Sequence, residues 1–554
     1  MIINMRLSII VCCTILFFTA CKDTFLNEEP VGELTESQIQ DSTNVEGLVT
    51  SAYSVLNGQF DNASNAYNSP ASNWSFGDVV SDDAYKGGGG TGDQNNIHQM
   101  EIFNDNSTTK DIERKWLALY EGIRRANEAI KELQTSNDIS QHLKDERIAE
   151  MHFLRGHFFF ELKKIYNRIP WIDASATKPE DYVVANDQYT SDELWDKIAE
   201  EFNQASQMLP DEQKDPGRPT RLAARAYMCK VYIFQGKWQK ASDLADEVIS
   251  SNKYHLMNNF RDVFLPENDN GPEIIFAVQH SINDGSPNNY NGSIGDRLAA
   301  PGGPYYPQYG FHRPSQDLIN AFHTNINGLP VNDHNDITLS DNVDPRLDHT
   351  VARPGIPYLD LGIKYDQSWA RDLATYGPYS PKKRMVSAKS DHYLKVWPYV
   401  NDLNYYVIRY ADVLLWKAEA AIQLGDLETG RQFINKIRER AKNSKTVKTL
   451  DGSQDAAPYL IDTYNQPFPS KQEAFQALHI ERRLEFAQEG HRFFDLVRWG
   501  IADQVMNAFI QREQDKRQYL RGAHFEKGKN EFFPIPQSQI DLSQGKIKQN
   551  PKYN

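Results

Sequence analysis

The sequence predicts a mainly α protein, in which a scaffold of tetratricopeptide-like helical hairpins carries a loop-rich, partly β ligand-binding face. Three observations predict this fold class. Helical spacing of apolar residues dominates residues 41–270. Two segments from opposite halves of the chain resemble copies of one helical hairpin. Between 271 and 405 the pattern changes to short strand candidates and long stretches rich in Asn, Gly, Pro and Tyr.

Composition and charge limit what the chain can do. Its 554 residues, 24% charged and 40% hydrophobic, are enough to bury a large core without disulfides or metal ions. Ordinary amounts of glycine (32) and proline (27) exclude collagen-like and wholly disordered chains. A formal charge of −15 repels phosphate backbones, and no basic patch is visible, so we expect no nucleic-acid partner.

The N-terminus has the features of a bacterial lipoprotein signal. Arg6 precedes an uncharged, mostly apolar run over 7–20, which is shorter than the roughly 20 apolar residues of a membrane span. Small residues stand directly before Cys21, as in a lipobox. We predict a signal peptide over 1–20, lipidation of Cys21 with palmitate-type acyl chains, and a lipidated tether over 21–40. The alternative is an ordinary secretory signal with a coincidental cysteine.

The four cysteines leave no pair for a disulfide in the mature chain. Cys12 and Cys13 are removed with the predicted signal, and lipid modifies Cys21. Cys229 lies in an apolar helical pattern with no histidine nearby. We therefore expect it to pack in the core rather than to act as a nucleophile.

The helices of the first half are predicted from apolar spacing and from capping residues. One apolar stripe runs along residues 116–130. Residues 147–166 are so rich in large apolar side chains that their helix should be buried on more than one side. Thr190 with Glu193 forms a capping box that begins another helix.

The two hairpin copies are predicted over residues 223–249 and 411–437. Aligning Gly236 with Gly425 places a small residue at the helix crossing of each copy, where the two backbones approach closely. Because only two copies are clear, they are expected to form part of a scaffold rather than a long solenoid.

The C-terminal third is predicted to contain a further helix with a run of charges. Ser470 and Glu473 make a capping pattern for this helix, and Gly490 is placed to end it. The charged residues at 481–485 lie on the same helix. Their simplest interpretation is an ion-pair network.

The middle of the chain is predicted to carry the functional loops. Residues 273–279 are a strand candidate, and the longest loop, 283–310, follows it. Long loops in compact proteins are usually functional or disordered. Disordered segments are poor in aromatic residues, whereas this loop contains four tyrosines. We therefore expect an ordered binding loop.

Aromatic and polar side chains in two loops are the candidate binding residues. Trp74 lies in a polar context, where a flat ring can stack on a sugar while neighbouring polar groups bind the sugar hydroxyls. Trp369 and Trp397 could extend this platform. The alternative is that these aromatic residues only hold their loops to the scaffold. The predicted ligand-binding residues are Asn73, Trp74, Asp82, Asp83, Tyr290, Tyr305, Tyr306 and Tyr309.

Two further motifs are weak. The glycine run 87–92 satisfies the dinucleotide-binding pattern, but no apolar strand precedes it and it opens no helix, so we interpret it as a flexible loop. Residues 333–344 offer calcium-like oxygen ligands, but Thr338 stands where an EF-hand loop needs glycine and Asp344 where it needs glutamate. We expect no metal, no cofactor and no catalytic residue.

Several stretches, in order along nearly the whole mature chain, resemble the SusD/RagB family of outer-membrane nutrient-binding lipoproteins. Their combination is specific, and the lipobox fits it independently. The stretches are 126–130 (ANEAI), 149–160 (AEMHFLRGHFFF), 169–170 (IP), 217–248, 404–420 (NYYVIRYADVLLWKAEA), 481–500 (ERRLEFAQEGHRFFDLVRWG), 533–536 (FPIP) and 549–551 (QNP).

The resemblance implies two regions. Residues 41–270 would form a SusD-like N-terminal helical region. Residues 271–554 would form the SusD/RagB C-terminal region, with the binding loops, the second hairpin and a C-terminal tail. The helical units would pack against a SusC-type TonB-dependent transporter. Ligand sites of the family use aromatic residues from an early loop and from mid-chain loops, which here indicates Trp74 and residues 290–309.

The function implied by the resemblance is that of a cell-surface glycan-binding lipoprotein without chemistry of its own. It would be anchored by lipid in the outer membrane, face the cell exterior, and hand an oligosaccharide or polysaccharide to the transporter. Two alternatives stay open. One is the same architecture binding a peptide or another nutrient. The other is a surface glycoside hydrolase that uses a pair among the many carboxylates.

Overall fold

The computed structural model describes residues 43–61, 66–136 and 139–553. The predicted signal peptide, Cys21 and the tether lie outside these residues. The described part of the first half is helical, as predicted, and consecutive helices from the third to the seventh pack side by side. These helices are α1 (Thr43–Tyr53), α2 (Asn95–Glu101), α3 (Lys110–Thr135), α4 (Gln141–Tyr166), α5 (Ser191–Met208), α6 (Arg221–Gln235) and α7 (Trp238–Ser250).

Short strands and turns dominate the middle of the chain, and one further strand, β1, lies between the first two helices. The strands pair antiparallel: β1 with β3, β2 with β6, β4 with β5. The predicted strand over 273–279 is confirmed as β2. The strands are β1 (Ala84–Gly87), β2 (Ile274–Val278), β3 (Phe311–Pro314), β4 (Val351–Ala352), β5 (Ser380–Pro381) and β6 (Tyr405–Arg409). The helices of this part are α8 (Gln316–Ala321), α9 (Leu347–Thr350) and α10 (Leu373–Tyr376).

The C-terminal part returns to helices and completes the scaffold. Its helices are α11 (Tyr410–Leu424), α12 (Leu427–Asn443), α13 (Lys471–Phe486), α14 (Arg492–Arg498), α15 (Ala502–Glu513) and α16 (Gln537–Leu542). The two predicted hairpins are confirmed as α6–α7 and α11–α12. Gly236 and Gly425 end the first helix of each pair, with φ of 74° and 94°. Because α7 packs against α11, the two hairpins form one continuous scaffold.

Helix ends and buried faces largely follow the predictions. The Thr190 hydroxyl accepts the N–H of Glu193 at 3.3 Å, and the Glu193 carboxylate accepts the N–H of Thr190 at 2.8 Å, which confirms the capping box. Nearly all of α4 from Ala149 to Tyr166 is buried, as its apolar composition predicts. Cys229 is fully buried on α6, which confirms that it packs in the core.

Of the hydrophobic cores formed by the described residues, two matter most for the scaffold and the loops. The larger one joins the N-terminal helices to β2, β6 and the C-terminal helices. The smaller one lies among the loops and is rich in aromatic residues, so packed rings help to hold these irregular segments together. Its aromatic members include Phe260, Phe264, Tyr306, Tyr358, Tyr365, Trp369, Tyr393 and Tyr406.

The turn after α13 passes very close to an early loop. α13 ends at Phe486, so the prediction that Gly490 ends this helix is wrong. Gly490 lies beyond it with φ 80°, and its N–H donates to the Asp78 carboxylate at 2.9 Å. A Cβ on Gly490 would lie 1.8 Å from the Ser72 carbonyl oxygen, and one on Gly77 would lie 2.0 Å from the Gly490 carbonyl oxygen. The backbones therefore approach so closely that only glycine fits at both positions.

The ion-pair network predicted on α13 is confirmed, and it is buried. Glu485 Oε1 lies 2.6 Å from Arg409 Nη1 and also contacts Arg440, while its Oε2 lies 3.0 Å from Arg346 Nη1. Glu481 adds a second carboxylate to Arg346 at 2.7 Å. These side chains are at most 4% exposed. Charges at such depth persist only when each one has a partner.

Candidate ligand-binding site

Three segments that are distant in sequence meet at one surface. They are the glycine run (87–92), the tyrosine loop (283–310) and the turn at 366–372. The pairing of β1 with β3 joins the first two, and the N–H of Gly88 donates to the Gly310 carbonyl oxygen at 2.9 Å. Arg371 joins the third, because its Nη1 donates to the Tyr309 carbonyl oxygen at 2.8 Å and lies 3.0 Å from Asp93 Oδ2.

This surface, which we call the loop face, combines an exposed ring with charged groups. It is formed by Tyr305, Tyr309, Trp369, Arg371 and Asp93. Tyr305 is 40% exposed, and its ring centre lies 6.0 Å from that of Trp369, which is itself buried. The side chains of Arg371 and Asp93 are 41% and 29% exposed. An exposed ring beside hydrogen-bonding groups suits a sugar, which offers an apolar ring face and a rim of hydroxyls.

A buried lysine fixes the shape of the glycine run. Lys86 is fully buried on β1, and its ammonium donates to the carbonyl oxygens of Gly87 at 3.0 Å, Gly90 at 2.9 Å and Asp93. Burial lowers the pKa of Lys86 to about 8. The run follows the short strand β1, which contains a lysine and is not the apolar strand of a dinucleotide-binding unit. The contacts of Lys86 do not fit the flexible loop expected from the sequence. The run is an anchored loop that presents backbone to the loop face.

The candidates of the early loop are buried. Trp74 is 1% exposed, its indole N–H donates to the Gly295 carbonyl oxygen at 3.2 Å, and its ring meets Phe311 edge-on at 6.3 Å. Asn73, also buried, donates from Nδ2 to the Glu161 carboxylate at 2.8 Å. Both side chains face protein groups rather than solvent.

Asp82 and Asp83 are held by arginines. Arg492 binds both carboxylate oxygens of Asp82, at 2.8 and 2.9 Å, and Arg483 Nε lies 2.7 Å from Asp83 Oδ1. Asp317 joins the same group through Arg483 at 3.1 Å. Each of the two predicted aspartates is buried, so both are engaged in ion pairs within the protein.

Of the four predicted tyrosines, three reach the surface. Tyr306 is fully buried and donates to the Val386 carbonyl oxygen at 2.9 Å. Tyr290 is half-buried, and Tyr305 and Tyr309 lie on the loop face. Ligand contact stays a prediction for these three. The side chains of the buried candidates contact other protein groups and stabilise the loops; they are Asn73, Trp74, Asp82, Asp83 and Tyr306.

Two members of the loop face could not be recognised in the sequence. Arg371 and Asp93 stand in no motif that would mark them. Trp369 did carry a signal, because it occurs in a polar run as Trp74 does. Trp397 is 48% exposed and remains a candidate for ligand contact.

A second concave surface lies between α13, α15 and the segments 327–334 and 463–469. This groove has a volume of about 1030 Å³. Its wall mixes apolar side chains, Phe468 among them, with Arg483, Arg492 and Arg512. It is large enough for a ligand and is the alternative location of a binding site.

The described residues contain no group of three or more His, Cys, Asp and Glu side chains that could hold a metal ion. In the calcium-like run 333–344, Asp344 pairs instead with Arg346 at 2.7 Å. No helix in this described part of the chain is long and apolar enough to cross a membrane.

Family models match both halves of the chain. One, described as the SusD family, matches residues 272–553, and another, described as starch-binding associating with outer membrane, matches residues 24–233. A SusD-like protein of Bacteroides ovatus is 25% identical over 533 residues, which cover 90% of this chain and 84% of that protein. A SusD-like protein of Formosa agariphila is 24% identical and covers 97% of both chains.

Solved structures share the fold. A laminarin binding SusD-like protein superposes with a TM-score of 0.68 at 24% identity, over 93% of this chain and 100% of that one. Surface glycan-binding protein A from Bacteroides thetaiotaomicron, in complex with laminarihexaose, superposes with a TM-score of 0.67 at 20% identity, over 92% and 99%. At these identities the likeness concerns the fold.

Proposed function

Because the chain belongs to the SusD family, we propose that it is a glycan-binding protein without catalytic activity. It captures an oligosaccharide or polysaccharide at the cell surface and hands it to a SusC-type TonB-dependent transporter. The observation that carries this proposal is the loop face, where the exposed ring of Tyr305 lies beside Arg371 and Asp93. The ligands named for structures of the same fold, laminarin and laminarihexaose, support a glycan as the ligand class.

The glycan proposal is tested with purified protein and a panel of polysaccharides that includes laminarin. We expect Tyr305→Ala to weaken binding of the recognised glycan about tenfold, or about 1.4 kcal/mol, because the glycan loses both the buried area and the stacking contact of the ring. Arg371→Ala should weaken it at least as much, since Arg371 also anchors Asp93 and the Tyr309 backbone. Isothermal titration calorimetry measures both effects.

Matched controls separate the loop face from other surfaces. Tyr182→Ala removes a tyrosine that is 46% exposed, close to the 40% of Tyr305, but lies in the N-terminal helical region, and should leave affinity unchanged. Phe468→Ala changes the groove instead. If Phe468→Ala lowers the affinity for the glycan and Tyr305→Ala does not, the glycan binds in the groove rather than at the loop face. No heat with any glycan would contradict the glycan proposal and favour a peptide or another nutrient.

The hydrolase alternative has a weaker structural basis. A retaining enzyme needs two carboxyl groups about 5 Å apart that reach the substrate. Asp82 lines the groove, but Arg492 binds both of its carboxylate oxygens. Asp83 is buried against Arg483. Incubating the same glycans with the protein and measuring released reducing ends distinguishes the two functions. Any product release would refute the proposed absence of catalysis.

The proposed anchor and transporter are tested together in cells. Cys21 is expected to carry the lipid, the tether 21–40 to join it to α1, and the helical scaffold to contact the transporter. Full-length protein should fractionate with the outer membrane, take up a labelled palmitate analogue and co-purify with a TonB-dependent transporter.

Cys21→Ser should lose the label and the membrane association, because acyl chains supply the anchoring energy. Cys229→Ser is the control and should behave as the wild type; membrane association of Cys21→Ser would contradict the lipid anchor.

A further inference from the structure

A small cavity lies inside the protein between the tyrosine loop, residues 381–401 and the turn after α13. Its volume is about 40 Å³, which is room for on the order of two or three water molecules or one small ion. The indole of Trp74 forms part of its wall, and the remaining wall is rich in polar and charged side chains.

Nearly every charge of the cavity wall has an opposite charge beside it. The pairs are Arg384 with Asp296 (2.7 Å) and Lys383 with Glu489 (2.6 Å). A ring nitrogen of His312 lies 2.9 Å from the Asp78 carboxylate. Asp296, the wall's carboxylate, also accepts a hydrogen bond from Ser72. Arg297 has no such partner among the described residues. The wall therefore carries three cationic side chains, Arg297, Lys383 and Arg384, against the single carboxylate of Asp296.

Arg297 follows the short helical turn Ile294–Asp296 in the tyrosine loop and is 8% exposed. Its Nε and Nη1 are buried and make no hydrogen bond to a described residue. One face of its guanidinium lies over the ring of Tyr67, 4.9 Å from the ring centre. The guanidinium is therefore fixed in place by stacking while its N–H groups stay available to a partner in the cavity.

Gln488 approaches the cavity from the turn after α13. It is 4% exposed, and neither its amide nitrogen nor its amide oxygen has a hydrogen-bond partner among the described residues. Its backbone has φ 66°, in the left-handed region that few residues other than glycine adopt. A buried amide that makes no hydrogen bond is costly. Such a placement is explained if the amide N–H₂ serves a bound group.

We propose that this cavity binds a small monovalent anion, of the size of chloride or formate, between Arg297 and Gln488. Water would satisfy hydrogen bonds there but would leave the buried charge of Arg297 uncompensated, whereas an anion compensates that charge and accepts from the N–H groups of Arg297 and Gln488. Water beside the anion donates to the amide oxygen of Gln488, which the anion cannot satisfy. The anion joins the tyrosine loop to the turn after α13. It thereby steadies the loop that carries Tyr305 and Tyr309.

Bromide locates the anion directly. Crystals of the protein grown in sodium bromide should show an anomalous peak in the cavity within hydrogen-bond distance of Arg297 and Gln488. In solution at constant ionic strength, chloride, bromide or formate should raise the melting temperature over gluconate, which is too large for the cavity. The rise should saturate at about 1–2 °C.

Variants assign the effect to Arg297. Arg297→Gln should abolish both the bromide peak and the anion-dependent rise in melting temperature, and Arg297→Lys should retain them because it keeps the charge. The exposed Arg521→Gln is the matched control and should behave as the wild type. If Arg297→Gln does not fold, the wild-type bromide experiment alone decides. Absence of a peak at this position overturns the proposal, as does a peak of full height in Arg297→Gln. No glycan enters the test, so its outcome is independent of the proposed function.

Discussion

Replacing Glu485 with glutamine is expected to lower the free energy of unfolding by about 3–5 kcal/mol, the typical cost of removing one partner from a buried ion pair. The Glu485 carboxylate is shared by Arg346, Arg409 and Arg440, so the substitution leaves three buried guanidinium groups short of negative charge. Glutamine has the same shape, and the loss therefore reports charge rather than packing. Urea unfolding followed by tryptophan fluorescence measures it.

The stabilisation by Glu485 is expected to depend on pH, and its direction of change can be measured. Burial alone would raise the pKa of Glu485, but Arg440, Arg409 and Arg346 outweigh it and hold the pKa well below its usual range. The carboxylate therefore stabilises the fold above the unfolded-state pKa of about 4.3. This contribution is lost as the pH falls through the lower pKa of the folded state. Wild type and Glu485→Gln should thus converge in strongly acidic solution.

A surface glutamate provides the control for Glu485. Glu439→Gln changes an exposed residue of α12 by the same chemistry and should alter the free energy of unfolding by less than about 0.5 kcal/mol. Equal effects of the two substitutions at neutral pH would mean that the buried network contributes no more than a solvent-exposed charge.

Replacing Gly490 with alanine is expected to lower the free energy of unfolding by about 2–5 kcal/mol, from the left-handed backbone and from overpacking together. The added Cβ would lie 1.8 Å from the Ser72 carbonyl oxygen. The atoms nearest to it belong to the backbone of Ser72 and Asn73, which cannot rotate away as a side chain can. The early loop must then move, and it carries Trp74 and the hydrogen bond from Gly490 to Asp78. Chemical unfolding measures the loss of stability.

Gly425→Ala separates the two causes. Gly425 also has positive φ, 94°, but a Cβ there would meet no atom within 4 Å. Gly425→Ala should therefore lower the free energy of unfolding only by the cost of placing alanine in a left-handed backbone conformation, about 1–2 kcal/mol. If Gly490→Ala costs no more than Gly425→Ala, the early loop adapts easily and the close approach has no energetic importance.

The helical scaffold could be predicted because its determinants are local. Apolar spacing, the Thr190–Glu193 cap and the glycines that end α6 and α11 each act within a few residues. The same local signals predict both hairpins without any information on the contacts between them. Only the end of α13 was misjudged, because Gly490 serves a contact with the distant Ser72 rather than the helix.

The loop face could be predicted only in part, because it is made by contacts across the sequence. Arg371 and Asp93, which hold two of its segments together, are 278 residues apart, and no local pattern marks either one. Trp74 shows the converse error. The polar neighbours of Trp74 favour an exposed ring. The turn at Trp74–Asp78 instead packs against β3 and Gly490, and this packing buries the indole.

The ammonium of Lys86 has a consequence for how the loop face is maintained. Three carbonyl oxygens converge on it, much as oxygen ligands converge on a bound potassium or calcium ion. Here the cation is covalently part of the chain, so it cannot dissociate on dilution or be removed by a chelator. The glycine run is consequently preorganised before any ligand arrives, and less conformational entropy is lost on capture. The conformation of the glycine run therefore does not depend on a dissociable cation.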